Sequence, residues 1–107
     1  MARSNEPDAT PQLSEAALLV LAALGGGAKH GYAIIQEIER EAGQRMGPGT
    51  LYGIIARLER ASLIEPLAME ERGRVPYRIT GGGRRTLSAR LAALRQYQAT
   101  LKALAAR

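Results

Sequence analysis

Gly47 to Thr80 reads GPGTLYGIIARLERASLIEPLAMEERGRVPYRIT, and within it the hydrophobic period changes once. Leu51, Ile54, Ile55 and Leu58 recur at i, i+3, i+4 and i+7, which buries one face of a helix. That helix opens at Gly47-Pro48, where the missing N–H of proline costs nothing. Leu63 to Met69 and Val75 to Ile79 are then short extended runs joined by Glu70-Glu71-Arg72-Gly73-Arg74, a polar turn whose glycine can take positive φ. The stretch predicts a helix followed by a β-hairpin. Pro76 inside the second run marks an edge strand or the start of a strand.

Upstream, Ser14 is a good N-cap for Ala16 to Leu24, a helix apolar on nearly every face that Gly25-Gly26-Gly27 stops. So small a domain can hardly cover such a helix on all sides, so part of it is expected to meet a second subunit. His30-Gly31 opens another helix, with Ile34, Ile35, Ile38 and Ala42 inward and Gln36, Glu37, Glu39 and Arg40 in water, ending at Gly43. Downstream, Thr80 caps a helix running nearly to Arg107, although Gly81-Gly82-Gly83 weaken its first turn and are expected to shorten it. Leu87, Leu91, Leu94, Gln98, Leu101 and Ala105 alternate at spacings of four and three, a coiled-coil seam that Tyr97 and Leu104 widen. Two-fold pairing of this helix is the simplest way to bury it, the rival being closure of the monomer core.

The 107 residues suffice for one domain with one modest core. Residues 1–12 read as a flexible tail, 13–80 as the folded unit and 81–107 as a dimerisation helix. The chain has no cysteine, which excludes disulfides and thiolate metal sites and fits a reducing cytoplasm. The longest apolar run falls well short of the roughly 20 residues of a membrane span, and no signal peptide is visible, so a soluble protein without a membrane partner is expected. Charge is distributed unevenly. Between Lys29 and Glu65 five basic and five acidic residues cancel, whereas after Pro66 nine basic residues face only Glu70 and Glu71. That asymmetry suits nucleic acid, with a solvated basic helix as the bland alternative.

Helix, helix, helix, hairpin and long helix is the order of a winged helix-turn-helix with a dimerising tail, mainly α with a small β-hairpin, whose third helix enters the major groove. With its apolar stripe inward, this third helix turns Gly49, Gly53, Ala56 and Arg60 outward, flanked by Thr50 and Arg57 on one side and Tyr52 on the other. Small outward residues permit close approach to a surface, hydroxyls and first-turn amides suit phosphates, and Arg57 and Arg60 can reach guanine edges. Arg72 and Arg74 at the hairpin tip suit a minor groove, and Arg78 at most a phosphate. An enzyme is disfavoured, because one histidine and no cysteine leave too few groups for acid–base, nucleophilic or metal chemistry, and His30 with Glu37 does not make a metal site. A winged helix that binds protein instead of DNA is the more serious rival.

Five segments together resemble the PadR family of bacterial transcriptional regulators: LLVLAAL at Leu18 to Leu24, HGY at His30 to Tyr32, PGTLY at Pro48 to Tyr52, RLERASLI at Arg57 to Ile64, and YRITGGGR at Tyr77 to Arg84. The resemblance implies a cytoplasmic, homodimeric winged-helix regulator, usually a repressor, on double-stranded promoter DNA. It places Thr50, Tyr52, Arg72 and Arg74 at the DNA, and the corner of His30, Gly31 and Tyr32 near the backbone, with Tyr32 more in the core than in contact. Lys29, His30, Thr50, Tyr52, Gly53, Arg57, Arg60, Arg72 and Arg74 form the expected DNA-facing set. It also places the first and last helices at the dimer interface, through Leu18, Leu21, Leu87, Leu91, Leu94, Tyr97, Leu101 and Leu104. The family often has serine where Gly47 stands, and a single helix after the hairpin matches its short subgroup. No cofactor is expected. Family members sense diverse small molecules, but without Trp or Phe no stacking cavity, and hence no effector, is expected here.

Overall fold

The computed structural model describes residues 12–107, so the tail expected over 1–12 lies almost wholly outside the described residues. Ser14 caps helix α1 (Glu15–Gly25), its Oγ accepting from the Ala17 amide at 3.1 Å. Ala17, Val20, Leu21 and Leu24 are the buried side of that helix. Gly27, at φ +140°, lets the chain turn into a two-residue strand, β1 (Lys29–His30). Helix α2 (Gly31–Ala42) stops at Gly43, whose left-handed backbone (φ +65°) allows its amide to reach the Glu39 carbonyl at 2.9 Å. Ile34 and Ile38 carry its inward face. The expected inward position of Ala42 is corrected, because the last turn of α2 runs past the core and leaves it exposed.

Helix α3 (Pro48–Arg60) buries all four residues of its predicted stripe. It ends where Ser62 takes positive φ (62°) and the Leu63 amide bonds back to the Leu58 carbonyl at 3.0 Å. Strand β2 (Ile64–Pro66) and strand β3 (Pro76–Ile79) pair antiparallel, with Ile64 opposite Ile79 and Pro66 opposite Tyr77. Both strands are shorter than their apolar runs. A single 3₁₀ turn, Glu71–Gly73, makes the hairpin tip, with Arg72 as well as Gly73 at positive φ. The sheet has a third member that no apolar run announces: β1 pairs with β3, Lys29 opposite Tyr77 and His30 opposite Pro76. The strand order β1-β3-β2 makes the proline strand central, and Pro76 is tolerated there as the first residue of the strand.

Helix α4 (Gly81–Ala105) starts at the first of its three glycines, not after them. Two tertiary facts override their poor propensity. Thr80 accepts from the Gly83 amide at 3.0 Å and donates to the Ser62 carbonyl at 2.7 Å, tying the cap to the end of α3. A Cβ at Gly83 would collide with the Leu63 carbonyl, so glycine is what allows the helix to lie against the hairpin. The core gathers α1, the inward faces of α2 and α3, Met46, Leu63, Ile64 and Ile79. Each large apolar side chain so buried contributes about 1.5–3 kcal/mol. Beyond Arg90, α4 leaves the domain and every residue is exposed.

Candidate nucleic-acid interface

Two arms project from this core. One is the outer face of α3, where Gly49, Thr50, Tyr52, Ala56, Arg57 and Arg60 are exposed and Gly53 is half-buried. Nothing among the described residues asks for glycine at 47, 49 or 53: a Cβ at any of them would meet none of their atoms within 4 Å, and none of the three has a left-handed backbone. The N-cap Gly47 provides no side chain to the first-turn amides of α3, which stay open to an outside acceptor. Arg57 and Arg60 form no ion pair among the described residues, which leaves both guanidinium groups to solvent.

The other arm is the hairpin tip. Arg72 and Arg74 are exposed, but Glu70 and Glu71 share the tip with them. Its charge is therefore balanced, and its positive field depends on where each arginine is held. Arg74 is held: its Nη1 donates to Nε2 of His30 at 3.2 Å. Arg78 forms a cross-strand ion pair, its Nε and Nη2 both on Oε2 of Glu65, which ties it to the sheet.

Lys29, expected near the DNA backbone, is engaged within the fold. Its ammonium donates to the Ala23 carbonyl at 2.6 Å and the Gly27 carbonyl at 3.3 Å, and pairs with Glu37 at 3.3 Å. A lysine so engaged closes the α1–β1 turn. His30 is half-buried and faces the hairpin. The expectation for Tyr32 is corrected, since it is 65% exposed on the outer side of α2 and not a core residue. Tyr52 is half-exposed, with its phenol lying against Gly31. Tyr77 lies behind this group, and burial, followed by the charges of Glu59 and Tyr52, pushes its phenol above the ordinary value of 10.0.

The expected dimer residues divide. Leu21 is fully buried between α1 and the rest of the core, which removes it from any surface between subunits. Leu18 is partly buried, and Leu87 packs against the core, its Cδ2 beside Gly25. Leu91, Leu94, Tyr97, Leu101 and Leu104 are 46–63% exposed along one helix. Where α1 meets α4, a groove of about 340 Å³ is lined by Glu15, Leu18, Leu19, Ala42, Gln44, Arg90 and Leu94. Spacing in the sequence could not separate Leu18 from Leu21, because α1 is apolar all round.

Residues 20–89 match the profile of the transcriptional regulator PadR-like family. The chain belongs to that family. PadR-like proteins are transcription regulators, not enzymes, and they bind DNA. Among solved structures, a transcriptional regulator from Clostridium thermocellum is 26% identical with a TM-score of 0.71, covering 80% of this chain and 88% of that one. RosR of H. salinarum superposes with a TM-score of 0.72 at 24% identity (91% and 96% covered), and a PadR family regulator from Clostridium difficile with 0.74 at 22% (85% and 98%). At those identities the two show a common fold. A 37.1 kDa protein in transposon TN4556 of Streptomyces fradiae is 51% identical over 75 residues, 69% of this chain and 21% of that protein. This PadR-like chain thus spans about a fifth of the length of that relative. No described helix of it is long and apolar enough to cross a membrane.

Proposed function

We propose that this PadR-like regulator acts as a homodimeric repressor on a two-fold operator. In this reading α3 docks in the major groove while the hairpin, as the wing, follows the adjacent minor groove. The observation that carries it is the outer face of α3. Gly49 and Gly53 there, and Gly47 at the N-cap, meet no packing or turn requirement among the described residues, and Thr50, Tyr52, Arg57 and Arg60 surround the two on the face. Close backbone approach is the use that such a face has, with hydroxyls and uncapped amides meeting phosphates. Two such faces need a two-fold partner, and the exposed row from Leu91 to Leu104, continuous through Leu94 with the groove beside Leu18, is the surface that would supply one.

Fluorescence anisotropy with labelled duplexes from its own upstream region, read over a series of salt concentrations, tests this. Submicromolar binding with a steep salt dependence is expected. Replacing Arg72 and Arg74 together by alanine is expected to weaken binding and reduce the slope of log K against log salt by about 1–2. A slope that does not change removes the wing from the interface, and no binding to any upstream fragment favours a protein-binding module.

A further inference from the structure

Lys29, His30 and Gly31 form the corner at which β1 becomes α2, and each is engaged in a different direction. Lys29 pins the corner to the end of α1 through the Ala23 and Gly27 carbonyls. His30 reaches the hairpin. An arginine can only donate, so Nε2 of His30 accepts from Arg74, while the buried Nδ1 has no hydrogen-bond partner among the described residues. Arg74 is therefore the hydrogen-bond partner found for this ring. Gly31 reaches α3. A Cβ there would overlap the Tyr52 hydroxyl and lie 2.8 Å from its Cζ and 3.1 Å from Leu51 Cδ2. The backbone of Gly31 is not left-handed, so what requires glycine is the seat of the Tyr52 ring.

We propose that the β1–α2 corner is a positioning element for DNA recognition, in which His30 holds Arg74 of the wing and Gly31 seats the phenol of Tyr52. It rests on the reading of Arg74 and Tyr52 as DNA-facing. The two arms come from separate parts of the chain, and three consecutive residues set their spacing. Holding an arginine and a tyrosine in place before DNA arrives lowers the ordering cost of binding.

Two double-mutant cycles test it, read by anisotropy on a labelled duplex selected on the full chain from random sequence. Gly31→Ala and Tyr52→Ala are each expected to weaken binding about tenfold, and the double variant about tenfold as well, not a hundredfold. His30→Ala is expected to weaken binding about fivefold, with no further loss in an Arg74→Ala background. It should also lower the salt slope as Arg74→Ala does; a merely structural histidine would leave that slope unchanged. Losses that multiply in either cycle overturn the inference while the DNA reading stands. Tyr52→Ala and Arg74→Ala variants that both bind like the parent, or a selection that recovers no duplex, overturn the DNA-facing reading and the inference with it. If Gly31→Ala loses its helical circular dichroism, the exposed His30–Arg74 cycle decides alone.

Discussion

Lys29 shows how a basic residue beside a proposed DNA-facing element can be engaged by the fold. Two carbonyls and a carboxylate surround its ammonium, so Lys29→Met is expected to cost about 1–2 kcal/mol in a denaturant melt. The salt slope of DNA binding should not change; a slope reduced as by loss of a phosphate contact would return Lys29 to the interface. Tyr77 makes a second residue-scale prediction. Its folded-state pKa is raised, so the folded chain holds that proton more tightly than the unfolded chain does. That stability is fully present below the unfolded value near 10.0 and is lost as pH rises through the higher folded value. Thermal melts should fall more steeply above pH 10 in the parent than in Tyr77→Phe; parallel curves would contradict it.

At the scale of elements, α3 separates stability from binding. Gly53 sits in mid-helix with open space where a Cβ would stand, so Gly53→Met is expected to stabilise the fold by about 1 kcal/mol through helix propensity. The same longer side chain would hold α3 off the duplex and weaken DNA binding by at least about tenfold, the equivalent of about 1.4 kcal/mol. A variant that gains stability and keeps its affinity would refute close docking by this face. Helix α3 was legible in full, because its stripe of four has one period and one set of partners. The sheet was legible only in part. Two residues of β1 hold no alternation to read, and their strand character comes from pairing with β3, 48 residues away at Lys29–Tyr77 and 46 at His30–Pro76. Similarly, the glycines opening α4 argue against helix until Leu63 and Thr80 are seen beside them.

On the scale of the whole molecule, α4 has 25 residues, about 37 Å at 1.5 Å per residue, and only its first part touches the domain. The monomer spans 56 Å along its longest axis, with an apolar row left in water. Among the described residues Leu87 packs against the monomer core while Leu91, Leu94, Leu101 and Leu104 stay exposed, which supports the proposed two-fold pairing over closure of the monomer core. Replacing Leu94 and Leu101 together by aspartate is expected to give a folded monomer by light scattering with unchanged α1–α3 helicity, and to weaken operator binding strongly. A persisting dimer would place the interface elsewhere, on the α1 side of the groove.

By itself the sequence determined the element order, the buried face of α3, the Ser14 and Thr80 caps, the basic bias of the last third and the PadR resemblance, since each depends on spacing or residue type along the chain. Only the tertiary structure decided which side of the all-apolar α1 is core, so that Leu21 is buried while Leu18 lines a groove. It also decided that Lys29 and Arg78 are engaged within the fold and that Tyr32 is exposed. Local period cannot show these things. They depend on which carbonyls and carboxylates distant parts of the chain bring within hydrogen-bonding reach.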